Sequence, residues 1–176
     1  MARLFERFAA RAGLGAEPDL IDVVEAIRAM PYRRPADRTP TGVIAEWAGT
    51  CSTKHALLEQ LVAEGFPGAT CRLVHRVYRV MPELARARFG PAAAAAVPPE
   101  GLLDVHTYAT IDSAIVDVTF AGEPRWNGRS DMPLACGEGT DHDAGEDALS
   151  TKAALVDAYC DAAVREPFIA ALSKPR

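Results

Sequence analysis

The sequence predicts an α+β fold with a cysteine-bearing helix, an antiparallel sheet and flanking helices at both ends of the chain. Three patterns carry that prediction. Gly49-Thr50-Cys51 leads at once into Leu57, Leu58, Leu61 and Val62, the spacing of one buried helix face. Two β-rich runs, 102–111 and 114–120, are joined by the polar pair Asp112-Ser113, which is a hairpin signal. Amphipathic stretches at 2–13, 20–30 and 148–164 supply the flanking helices.

The bulk properties bound the function. A chain of 176 residues is long enough for a real core and is expected to form a single domain, 1–176. Within it, 1–31 are N-terminal helices, 41–120 the core, and 121–176 a loop and C-terminal helix. Hydrophobic residues at 49% and charged residues at 24% describe an ordinary globular chain. The net charge of -5 lacks the basic stripe of a nucleic-acid or anionic-membrane binder, so neither partner is expected. No apolar run approaches the ~20 residues of a membrane span.

The amphipathic start, Met1 to Arg11, is broken by charges and lacks the apolar core of a secretory signal. A cytoplasmic protein with reduced thiols is therefore expected. Cysteines 51, 71, 136 and 160 form no CxxC pair, so zinc spacing is absent and neither metal nor cofactor is called for.

Taken in order, the helix over 2–13 closes at Gly13 and Gly15. Pro18-Asp19 opens a second, whose apolar face is Leu20, Ile21, Val23, Val24 and Ile27. The proline-rich stretch 32–41 is a surface connection, and Val43–Trp47 a short approach to the cysteine turn. The cysteine helix runs to about Glu64 and stops at Gly65-Phe66-Pro67-Gly68. Residues 70–80 read as a strand whose arginines suggest an edge or a half-exposed position. The alanine- and proline-rich 81–100 reads as an inserted loop with some helix, and 121–147 as a long polar loop.

Thr50 is a natural N-cap, which puts Cys51 in the first helical turn. There the helix dipole favours a thiolate, although a buried cysteine can also be a plain packing residue. Its partners decide. If Asp112-Ser113 form the hairpin turn, Ile111 faces Ala114, Tyr108 faces Asp117 and His106 faces Thr119. Residues two apart share a face, so His106 and Asp117 are diagonal neighbours on one side of the sheet. Thiol catalysis needs a thiolate, an imidazole to take and return its proton, and a group to orient that imidazole. Cys51, His106 and Asp117 supply all three.

Over 41–120, this order resembles the transglutaminase-like superfamily: a Gly-x-Cys helix start, a His-x-aromatic strand and an Asp-x-Thr strand end. The resemblance implies a papain-like core with Cys51 as nucleophile, His106 as base and Asp117 as the orienting acid. Thr107-Tyr108 stands where Ala-Trp is common, and Val118 replaces the usual proline. It implies a cysteine-dependent acyl-transfer enzyme, a hydrolase rather than a crosslinking transferase, acting on a peptide, protein or small amide or ester. Arylamine N-acetyltransferase-like and peptide N-glycanase-like enzymes use the same three groups. The rival from another class is an inactive binding module that holds a peptide or small ligand in the cleft.

Trp47, Trp126, His55 and Tyr108 are the further oxyanion or cleft candidates, with a core or lid role the alternative for each tryptophan. His55, one turn after Cys51, is expected to be buried or to line the cleft, with a role as rival base the alternative. Lys54, Asp104 and His75 are expected on solvated surfaces, and Asp112 at the turn. Asp141-His142-Asp143 with Glu146 is expected to be a solvated acidic loop. Cys71, Cys136 and Cys160 read as core or loop thiols. The oligomeric state is not written in the sequence.

Overall fold

The computed structural model describes residues 3–173. Among them eight helices accompany a four-stranded antiparallel sheet of order β3-β2-β1-β4. The α+β class is as the sequence predicts. The chain separates into two compact units. One comprises the chain up to Leu73 with Tyr108–Leu134; the other comprises Val74–Thr107 and the chain from Ala135 on.

The first unit is built round α4 (Cys51–Gly65), against which α1 (Leu4–Ala12), α2 (Leu20–Ala29) and α3 (Pro40–Glu46) all pack. Asp19 caps α2 by accepting from the Asp22 N–H, and Gly13 closes α1 in the left-handed region that glycine tolerates. Leu57, Leu58 and Leu61 of α4 are fully buried with Phe8, Val23, Val24, Ile27 and Val43. Each such leucine contributes about 1.5–3 kcal/mol. Helix α3 lies where only an approach segment was expected. Its start is locally specified, because Thr39 accepts from the Gly42 N–H and Pro40 occupies the first turn.

The hairpin closes this unit. β2 (Leu102–Ile111) and β3 (Ala114–Val116) pair with Ile111 opposite Ala114 and Ala109 opposite Val116, the register read from the sequence. Asp112 and Ser113 both have positive φ, 48° and 78°, as a tight hairpin turn requires. The second strand ends at Val116 rather than Phe120.

The second unit carries α5 (Pro82–Phe89) and α6 (Pro91–Ala95) where a loop with some helix was expected. It also carries β4 (Gly139–Asp143), α7 (Ala148–Tyr159) and α8 (Ala162–Leu172). β1 (Cys71–Val80) has neighbours on both sides, so it is not an edge strand, and its mixed burial is that of the half-exposed strand that was the alternative. Arg76 forms a two-pronged ion pair with Asp141 of β4, both contacts 2.7 Å. Strand β4 falls inside the stretch expected to be unstructured. No described helix is long and apolar enough to cross a membrane.

Candidate active site

The first turn of α4 departs from ordinary core composition. Cys51, Ser52, Thr53, Lys54 and His55 are all buried, although four of them are polar. Burying such groups costs free energy unless each finds a partner. The Thr53 hydroxyl accepts the Thr50 N–H at 2.9 Å, so Thr50 is the N-cap and Cys51 the first helical residue. Gly49 is required by close approach: a Cβ there would lie 2.8 Å from Lys54 Cγ and 2.9 Å from Thr53 Oγ1.

Lys54 corrects the expectation of a solvated side chain, for it is wholly buried. Its Nζ donates to the carbonyls of Arg28 (3.3 Å), Met30 (2.6 Å), Val118 (3.3 Å) and Thr119 (2.9 Å). The geometry has a local cause. The stem runs beside Gly49, and the ammonium reaches the C-terminal end of α2 and the segment at 118–119. Burial pulls this ammonium down to about 7, against the attraction of Asp117 and of Cys51. The carbonyls, acceptors all, favour the charged form.

His55 is also fully buried. Nδ1 lies 2.6 Å from the Cys51 carbonyl and therefore carries the proton, while Nε2 accepts the Val118 N–H at 3.1 Å. Both nitrogens are engaged with backbone, which disfavours the rival assignment of His55 as the base for the thiol. Its Nε2 lies 3.7 Å from Asp117 Oδ1. That carboxylate accepts from the Thr119 N–H at 3.0 Å and from the Thr119 hydroxyl. Asp117 is buried and held by its own local turn. The hairpin pairing ends at Ala109 and Val116, one step short of the expected Tyr108–Asp117 pair, and Tyr108 is buried.

The other predicted residues have definite places. Trp126 is buried, and its indole N–H donates to the Ser130 carbonyl at 2.8 Å, which is a core role. Trp47, half-buried, stacks on Phe8 at 5.7 Å between ring centroids, with the Arg11 guanidinium over its face. Arg28 of α2 holds the segment after Thr119 by donating to the carbonyls of Phe120 and Pro124.

His106 belongs to the second unit, buried on β2 and edge-on to the Tyr78 ring at 6.5 Å. His75, expected on the surface, is completely buried there. Its Nε2–H donates to the Ala148 carbonyl at 2.8 Å, and its Nδ1 accepts from the Thr107 hydroxyl at 3.0 Å. Thr107 in turn accepts from Lys152 Nζ at 3.1 Å. Asp104, also expected to be solvated, is buried against Arg165 at 2.6 Å.

Of the acidic loop, Asp141 pairs with Arg76, Asp143 caps the Gly145 N–H, and His142 faces the Tyr159 ring. No group of three or more such side chains among the described residues is arranged to hold a metal ion.

Sequence reasoning missed the burial of Lys54, whereas His55 is buried as expected. A signal was present: two long polar side chains in the first turn of a helix whose every later inward position is aliphatic. Comparison with known proteins adds no relative, since no family model, curated protein or solved structure matches the chain.

Proposed function

We propose that the chain is a cysteine-dependent acyl-transfer enzyme with a papain-like, transglutaminase-like core, which hydrolyses an amide or peptide bond. Cys51 is the nucleophile, His106 the base and Asp117 the carboxylate that orients the imidazolium. The thiolate attacks the carbonyl carbon, and the oxyanion is met by the backbone N–H of Cys51 at the helix start. The amine then leaves with the proton from His106. Water, deprotonated by the same imidazole, hydrolyses the thioester and restores the thiol.

One observation carries the proposal: a cysteine at the first helical position shares a buried polar cluster with a locally fixed carboxylate. Structural cores are not normally built that way, because a buried carboxylate is costly. Cys51 opens α4, and Asp117 is held by Thr119 within the same unit. The assignment of His106 is supported by the residue order of the resemblance and by the hairpin register that the sequence predicts. Four free thiols fit a reducing cytoplasm.

Iodoacetamide labelling tests it. Cys51 is expected to react faster than Cys71, Cys136 and Cys160, and to slow in His106→Ala with an unchanged circular dichroism spectrum. Equal labelling of all four, indifferent to that substitution, overturns the proposal.

A further inference from the structure

We propose that Lys54 is a positioning residue: its ammonium pins the Asp117-Val118-Thr119 segment to the first turn of the Cys51 helix. The idea rests on the acyl-transfer proposal for its catalytic meaning, while the clamp itself is a matter of geometry. Two of the four carbonyls round Nζ belong to that segment, Val118 at 3.3 Å and Thr119 at 2.9 Å. The other two, Arg28 at 3.3 Å and Met30 at 2.6 Å, end α2. Without a donor at the centre, four carbonyl oxygens would face one another in a buried space, which is unfavourable for their dipoles.

His55 supplies the second half of the clamp through the Val118 N–H. Consecutive side chains of one helix thus read consecutive backbone groups of the segment that bears the carboxylate. Arg28, the other cation at this place, is committed to Phe120, Pro124 and Glu25, and so does not compete for the cage. The titratable groups facing Lys54 are Asp117 from the segment and Cys51 from α4. Both gain from a neighbouring cation in their ionised forms, so loss of the charge weakens the thiolate and the carboxylate together.

The test uses the full chain and two readouts. The first is amide hydrogen exchange, which needs no activity. In Lys54→Met, close in length but without donors, protection of the Val118 and Thr119 amides is expected to fall about tenfold, the factor carried by about 1.4 kcal/mol. Leu58 and Leu61 on the same helix should keep theirs. If Lys54→Met does not fold, Lys54→Gln, which keeps a donor for the cage, is read in its place, with a smaller loss expected at the same two amides. Unchanged protection in a folded variant overturns the clamp.

The second readout is the pH profile of Cys51 alkylation. In Lys54→Met its midpoint should rise, and in Lys54→Arg, which keeps a permanent charge, it should stay close to that of the unaltered protein. An unchanged midpoint in Lys54→Met overturns the positioning role. Slow alkylation of Cys51 in the unaltered protein would overturn the acyl-transfer proposal instead, and the exchange data would still judge the clamp.

Discussion

Acidification from pH 7 to pH 4 should lower the stability of the protein measurably through one imidazole of the second unit. His75 is completely buried, and its two nitrogens have opposite duties: Nε2 donates to the Ala148 carbonyl while Nδ1 accepts from Thr107. Only the neutral ring can do both. Burial drives its midpoint from the ordinary 6.5 down to about 4; the Ala148 bond opposes this, and Lys152, His142 and His106 add to it. In the unfolded chain the ring charges near 6.5, so the unfolded state takes up the proton first. Stability is therefore intact above about 6.5, declines as pH falls from there to about 4, and is flat for this group below that.

The displacement from 6.5 to about 4 is worth about 3 kcal/mol at about 1.4 kcal/mol per pH unit. Solvent near half-buried Ala148 trims it toward about 2 kcal/mol. Urea unfolding at half-unit pH intervals measures the loss. His75→Gln keeps a donor and an acceptor but cannot titrate, so it isolates the imidazole from the carboxylates that also protonate. The unaltered protein should lose about 2–3 kcal/mol more than His75→Gln between pH 7 and pH 4. Parallel pH profiles for the two would refute the buried neutral ring.

Other perturbations have equally definite outcomes. Arg165→Met leaves the Asp104 carboxylate buried without its guanidinium and should cost about 3–5 kcal/mol, while Arg165→Met with Asp104→Leu recovers most of it; equal losses in single and double variants, read by urea titration, would refute this. Burial pushes the Cys71 thiol up to about 12, with Glu59 and Asp112 adding to the effect. Mass spectrometry should find Cys71 unlabelled by iodoacetamide at pH 8 in the folded protein and labelled readily in urea. Gly49→Ala forces the Lys54 stem and Thr53 hydroxyl aside and should lower stability by about 1–3 kcal/mol, with slower Cys51 alkylation as the companion measurement.

What could be read from the sequence was what neighbours in sequence decide. Asp19, Thr50 and Gly13 mark helix ends by local hydrogen bonds or conformation, and the apolar period set α2 and α4. The turn at Asp112-Ser113 fixed the hairpin register, because a two-residue loop leaves one pairing. α3 was missed: Thr39-Pro40 mark its start, but seven residues are too few to show a period.

β4 was missed too: its exposed residues have no alternation, and its order comes from pairing with β1, 65 residues away at the Arg76–Asp141 contact. The burial of Lys54, His75 and Asp104 was hidden for the same reason. Their partners are backbone carbonyls at 28, 30, 118, 119 and 148, a threonine at 107 and an arginine at 165. Composition makes a lysine or an aspartate a surface residue by default, and only satisfaction from a distance reverses that.

That reversal also changes how the start of α4 is to be understood. A cysteine at a helix start is ambiguous between packing and chemistry, and the dipole alone does not choose. A lysine and a histidine placed next in the same turn sharpen the question, since aliphatic residues would fill that space at lower cost. Both are spent on the backbone of 117–119, with further Lys54 contacts to the end of α2. What they secure is the position of one short turn whose side chain is a carboxylate, itself held by Thr119. A fold that needed only stability could dispense with all four groups. One that must keep a carboxylate fixed beside a thiol-bearing helix start could not.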